Sequence, residues 1–343
     1  MTPRRRSHYL GALCFASLAA SGVLAQAPSA AFDPHPVPAG TLRIWGDTYM
    51  SSVVLAWEEH FRRYHPDVQF VTQLMGTDTA MPGLYGGVAD LALFGRESNG
   101  AESDGFLHSL QYKPLQLRLM AGSLDAPGKS YAPVLFVRKG NPLDRLTVAQ
   151  ADALFGCGQP GQSAPARTWG DLGLEGEWKD KPIHLYAFDI ESGTGAFFLR
   201  KLQGESQKMN WEIIREFSDG RHADGTAYDA GQQTMDALKA DPYGLAVSGL
   251  HYADGDVKPL ALAAVAGSPY VYATRETVID GTYPLARMTY AFFNQPSGQP
   301  VPPLVKEFMR FFYSDEGQGL ISAEPGFLPL PPQDAKQQVL ALH

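Results

Sequence analysis

Cysteine is nearly absent from this chain: 343 residues contain only Cys14 and Cys157. Cys14 lies in an N-terminal apolar stretch, so a chain processed there keeps one thiol and can form no internal disulfide; stability must come from a buried core. Basic residues are also in short supply. Lys and Arg number 28 against 36 Asp and Glu, giving a net charge of −8, and beyond Arg4-Arg5-Arg6 they form no cluster. Nucleic acid and anionic membrane surfaces are therefore excluded as partners. The nine histidines are scattered, and His60 and His65 are five apart instead of at the i, i+4 spacing of a helical metal site, so neither a metal nor any other cofactor is expected. There is no tandem repeat of fixed period and no low-complexity tract in the body of the chain. The one long apolar run, Tyr9 to Leu24, is diluted by Gly, Ser and Ala and falls short of the roughly 18 strongly apolar residues a membrane span needs.

What is present at the N-terminus has a different meaning. Three arginines, the apolar run and the small residues of Val23-Leu24-Ala25 form the charged, apolar and small-residue order of a cleaved secretory signal. Residues 1–25 are read as that signal, which places the chain in the periplasm or outside the cell; a lipoprotein using Cys14 is disfavoured because Leu13 stands where a small residue belongs. Residues 26–40, rich in Pro and Ala, read as a flexible leader. Loss of the first 25 residues removes three arginines and no acid, so the mature chain is more acidic still. Its length predicts two domains.

Apolar strands alternate with polar loops and amphipathic helices. Leu42-Arg43-Ile44-Trp45 runs into Gly46-Asp47-Thr48, after which Val53, Val54, Trp57, Phe61 and Tyr64 recur at helical spacing. Val68 to Leu74, Ala89 to Phe94, Tyr131 to Val137 and Ile183 to Phe188 are further strands. Thr147 is placed to cap a helix over 148–155, and Ser192-Gly193-Thr194 opens another through Leu202. The alternation predicts an α/β fold with parallel strands. Gly158 to Ala166, with Pro160, Gly161 and Pro165, reads as a loop insertion, and Cys157 beside it as a free thiol outside any binding site.

In open α/β sheets ligands sit beyond the carboxyl ends of the strands. Three loops end strands here with glycine beside hydroxyls: Gly46-Asp47-Thr48-Tyr49, Gly76-Thr77-Asp78-Thr79 and Ser192-Gly193-Thr194-Gly195. Glycine permits close backbone approach, and the amides at a helix start donate to oxyanions. Arg96, at the end of another strand, adds a charge with a bidentate fork. Taken singly, each loop reads equally well as an N-cap and Arg96 as an ion-pair member; the ordered set is what points to an oxyanion cage. Its candidate ligand-binding residues are Asp47, Thr48, Tyr49, Thr77, Asp78, Arg96, Asp189, Ser192, Gly193 and Thr194. An enzyme would take Ser192 as nucleophile, but Glu191-Ser192-Gly193 lacks the glycine two residues before the serine of a nucleophile elbow, and no histidine can be tied to it.

These segments, together with Leu154-Phe155-Gly156, Thr168-Trp169-Gly170-Asp171, Pro242-Tyr243-Gly244, Tyr283-Pro284-Leu285-Ala286-Arg287 and Gly317-Gln318-Gly319 followed by Gly326-Phe327-Leu328-Pro329, resemble in order the phosphate-binding periplasmic proteins of ABC importers. The resemblance spans about residues 41 to 331. It implies a type II, two-lobed periplasmic binding protein fold with the ligand cleft between lobes: one lobe from 41–132 and 247–343, the other from 133–246, with crossovers near Tyr131 and Tyr243. It further implies a non-enzymatic, monomeric protein that takes phosphate or a similar small anion and hands it to an ABC permease. Two positions depart from the family. Asp47 replaces a hydroxyl of the first loop, and Phe188 stands where the family commonly has an arginine four residues before the serine matching Ser192. One carboxylate can accept a proton from a protonated oxyanion and so reject sulfate; Asp47, Asp78 and Asp189 are all open to that role. A binding or sensing module of the same fold with another ligand is the alternative.

Overall fold

The computed structural model describes residues 32–342 except 125, 127–129, 158–164, 204–207 and 324–325; the expected signal and most of the loop insertion lie outside the described residues. The chain begins with β1 (Gly40–Gly46), α1 (Ser51–Tyr64), β2 (Val68–Gln73), α2 (Thr77–Tyr85), β3 (Leu91–Phe94), α3 (Gly100–Leu110) and β4 (Leu115–Ala121). It then builds β5 (Val134–Arg138), β6 (Arg145–Thr147), α4 (Val148–Phe155), β7 (His184–Phe188), α5 (Gly193–Gln203), β8 (Ile214–Phe217), β9 (Gly220–Arg221), β10 (Ala227–Tyr228), α6 (Ala230–Ala240), β11 (Gly244–Ser248), β12 (Val257–Pro259), β13 (Ala261–Ala263) and α7 (Arg275–Ile279). It closes with β14 (Met288–Phe293), α8 (Pro303–Phe312), α9 (Asp315–Ala323) and α10 (Pro332–Leu340).

Two five-stranded sheets result, ordered β2-β1-β3-β14-β4 and β12-β5-β11-β7-β8. β1 runs parallel to β2 and β3, and β7 parallel to β8 and β11, as strand–helix alternation requires. The expectation of a parallel sheet fails at the strands next to the crossings: β14 is antiparallel to β3 and β4, and β5 to β11 and β12. These strands arrive from the other lobe without a covering helix, so nothing imposes the parallel direction on them. The lobe boundary is also corrected. β11, β12 and β13 all belong to the second lobe, so the chain returns to the first sheet between β13 and β14 and not at residue 247. Tyr243 accordingly lies at the far end of the second lobe, against Trp178 and Lys181, and is no crossover residue.

The two crossings touch. The Gly122 amide of the outgoing segment donates to the Arg287 carbonyl of the returning one at 2.7 Å, and a Cβ on Gly122 would meet the Ser130 carbonyl oxygen at 2.1 Å, so no side chain fits there. The first described residue is anchored too. Phe32 is buried, with edge-to-face contacts to Tyr64 and Phe311, so the stretch expected to be a flexible leader has one residue seated in the core, while most of residues 33–40 are exposed. Local signals are met elsewhere: Thr147 and Gln150 form the capping box of α4, and Trp57 donates from Nε1 to the Gly317 carbonyl, tying α1 to α9. Cys157 is an exposed free thiol. Among the described residues, no helix is long and apolar enough to cross a membrane.

Candidate functional site: a cleft between the lobes

A cleft of about 680 Å³ opens where the carboxyl ends of β1, β3 and β7 face each other, and all ten candidate residues line it. Eleven others join them: Gly76, Tyr131, Phe188, Glu191, Ser218, Asp219, Asp229, Ala230, Gly231, Tyr252 and Arg287.

The first lobe contributes two loops and the start of α2. Asp47 is buried and caps a 3-10 turn over Thr48–Met50 by accepting from the Tyr49 amide at 3.0 Å; its other oxygen accepts from the Ser130 hydroxyl at 3.1 Å. Thr48 turns its hydroxyl to the Leu74 carbonyl. Gly76 adopts φ +116°, a left-handed conformation that favours glycine, and starts α2 with no side-chain cap; the Thr79 amide donates to the Gly76 carbonyl, which leaves the amides of Thr77 and Asp78 for the cleft. The Thr77 hydroxyl accepts from the Gly95 amide at 3.4 Å.

Arg96 does not offer the fork expected of it. Its Nη1 and Nη2 donate to the two carboxylate oxygens of Glu102 at 2.9 and 2.8 Å, and Nη2 also donates to Asp78 at 2.6 Å. Burial alone would lower its pKa, but the hydrogen bonds and charges of Glu102 and Asp78 outweigh it and raise it. Glu102 is held in place as the reciprocal partner of Asn99 in the capping box of α3. The Asp78 side chain is 85% exposed and keeps one oxygen without a partner among the described residues.

From the second lobe comes α5. Ser192 is its cap: the hydroxyl donates to the Asp189 carbonyl at 2.7 Å and accepts from the Gly195 amide at 3.0 Å. Both functions of that hydroxyl are engaged, so Ser192 shapes the helix end, and the amides of Gly193 and Thr194 remain for the cleft. Asp189 accepts from the Ser218 hydroxyl and the Glu191 amide, and these bonds hold its pKa below the ordinary carboxylate value. Each oxygen of its carboxylate already accepts one hydrogen bond that clasps the loop.

The guanidinium with an open donor in the cleft is Arg287, on the returning crossover. It is 3% exposed. Its Nε donates to the Gly95 carbonyl at 2.6 Å and its Nη1 to the Thr194 hydroxyl at 3.2 Å, while Nη2 has no partner among the described residues. Burial lowers its pKa, and the charge of Asp47 works against that. Arg287 supplies the positive charge that Phe188 cannot. Phe188 instead packs near the Tyr131 ring at 6.2 Å.

From the same lobe, α6 also points its start at the cleft. Asp219 accepts from the Ala230 amide and Asp229 from the Gln232 amide, both at 2.9 Å, and the second oxygen of Asp229 accepts from the Tyr252 hydroxyl at 2.6 Å. Sequence reasoning missed this whole wall, although Asp229 before Ala230 is an ordinary cap signal. No group of three or more His, Cys, Asp or Glu able to hold a metal occurs among the described residues.

Two α/β lobes with double crossovers and a cleft at their strand ends define a periplasmic-binding-protein architecture, and residues 33–316 match the PBP superfamily domain, so the chain belongs to that superfamily. Among individual relatives, it is 29% identical over 332 residues to the phosphate-binding protein PstS of Pseudomonas aeruginosa, covering 94% of this chain and 95% of that protein. Solved structures share the fold. PstS from Borrelia burgdorferi superposes with a TM-score of 0.59 at 15% identity, covering 85% of this chain and 99% of that one. An ABC-type phosphate transport receptor from Vibrio cholerae gives 0.57 at 17% identity, covering 84% and 100%.

Proposed function

We propose that this protein is the solute-binding component of an ABC importer, working in the periplasm and capturing a phosphoryl oxyanion, of which inorganic phosphate is the simplest. The observation that carries this reading is the convergence on one cleft of the open starts of α2 and α5 with the unpaired Nη2 of buried Arg287. The relatives support the same function: the P. aeruginosa protein aligned along almost the whole chain is a phosphate-binding protein. A binding role also suits Ser192, whose hydroxyl is committed to capping α5.

Of the three acids open to accepting a ligand proton, Asp78 fits best. Asp189 has both oxygens engaged, as has Asp47, whereas Asp78 keeps one oxygen and stands beside Arg96 at the start of α2. A protonated phosphate donates to it; sulfate sets two acceptors face to face. Isothermal titration at neutral pH tests the reading. Phosphate is expected to bind the wild type and sulfate not; Asp78→Asn should weaken phosphate about tenfold or more, the worth of a hydrogen bond to a charged group, and admit sulfate. Absence of binding by phosphate and by phosphate esters at millimolar concentration would overturn it.

A further inference from the structure

The cleft is chemically two-ended. About 680 Å³ lies within the range that houses drug-sized ligands, far more than the five heavy atoms of a tetrahedral anion occupy. Its lining carries six carboxylates, Asp47, Asp78, Asp189, Glu191, Asp219 and Asp229, against two guanidiniums, Arg96 and Arg287. Arg96 is already paired and Arg287 belongs to the α5 end. Apart from these two guanidiniums no basic side chain among the described residues lines the cleft, and His251 packs behind Tyr131 with its ring 5.0 Å away.

That end holds a polar group waiting for a partner. Tyr131 is only 8% exposed, yet its hydroxyl has no partner among the described residues. It stands over the first turn of α6, where a Cβ on Gly231 would lie 3.1 Å from the Tyr131 oxygen. Asp219 retains an oxygen without a partner among the described residues, and Asp229 lies beside Tyr252. Burial, then the charge of Asp229, raise the Tyr131 pKa against the opposing charge of Arg287, so the hydroxyl stays neutral with its lone pairs available between the acids and that guanidinium. Tyr49, 43% exposed, adds a further ring to the wall. Carboxylates, a hydroxyl acceptor and aromatic faces are what a desolvated ammonium requires, while a second anion there would be repelled. A metal is a poor occupant, since the described residues offer no cluster of three ligands.

Resting on the phosphoryl reading above, we propose that the solute is a phosphate monoester or phosphonate bearing a primary ammonium group. Its phosphoryl oxygens take the starts of α2 and α5 with Arg287, and its ammonium takes Asp219, Asp229 and the Tyr131 hydroxyl. The test is calorimetric titration of the full mature chain with inorganic phosphate, methyl phosphate and 2-aminoethyl phosphate at one pH and ionic strength. The aminoethyl ester is expected to bind at least tenfold tighter than methyl phosphate. Asp219→Asn and Asp229→Asn each keep an oxygen to cap α6, and should erase that preference without weakening methyl phosphate; Tyr131→Phe should reduce it severalfold. Equal binding of the two esters by the wild type, or a preference that survives both asparagine variants, overturns the proposal. If inorganic phosphate binds and neither ester does, the proposal falls and the phosphoryl reading stands; if none of the three binds at millimolar concentration, both fall.

Discussion

The starts of α5 and α6 face the same cleft from the same lobe, yet they are finished in opposite ways. At α5 a neutral hydroxyl, Ser192, takes one amide of the first turn, leaving those of Gly193 and Thr194 open with Arg287 across from them. At α6 two carboxylates, Asp219 and Asp229, fill the amides of Ala230 and Gln232. A helix start carries about half a positive charge; left open it hosts an anion, while two aspartates reverse its sign. Both are helix starts, and what differs is the charge of the side chains that cap them.

The sharpest way to break this comparison is to remove the charge at the α5 end. Arg287→Met should lower oxyanion affinity by about 2–5 kcal/mol, the usual cost of deleting one partner of a buried charge contact, or roughly 30-fold to several thousand-fold by calorimetry. Arg287→Lys keeps the charge but not the planar geometry that reaches Gly95 and Thr194 together, and should restore only part. A smaller effect contrasts the caps themselves. Ser192→Ala and Asp229→Ala should each cost about 1 kcal/mol of stability in urea denaturation, but with opposite effects on ligand: the first leaves oxyanion affinity nearly unchanged, and the second strengthens inorganic phosphate by removing a negative charge from the α6 end. Smallest is the pH response of the Asp189 clasp. Its folded pKa is depressed, first by the Ser218 hydroxyl and then by the Glu191 amide, so its stabilisation is present above the unfolded value of about 3.9 and is lost as pH falls through the folded value. Ser218→Ala should remove most of that acid-limb dependence in pH-dependent denaturation, an effect under about 1 kcal/mol for so exposed a group.

Most of the fold could be read because its signals are local. Thr147 with Gln150, the run from Val68 and the strand before Glu191-Ser192-Gly193 each announce an element within a few residues. The ten candidate residues fall on one cleft for a related reason: every loop that carries them follows the carboxyl end of a strand or starts the next helix, and the sheet order brings those ends together. What could not be read depends on distant packing. The spacing around Arg96 says nothing of Glu102 arriving from α3 to occupy its fork. Arg287 stands in a segment quoted only for its resemblance, and its burial follows from where the second crossover runs. Phe32 is hidden by its Pro- and Ala-rich neighbours, because composition cannot show that one ring among them meets Tyr64 and Phe311.

Arg287 is held at three places at once: its carbonyl by the Gly122 amide of the other crossover, its Nε at Gly95 in the first lobe, and its Nη1 at Thr194 in the second. The guanidinium with an open Nη2 in the cleft is thus also part of the contact between the lobes. On the proposed reading, a substitution at this position changes at once the charge offered to the oxyanion and the side-chain contacts that span the lobes. A fluorescent reporter built on this chain would therefore leave residue 287 untouched and carry its dye away from these contacts.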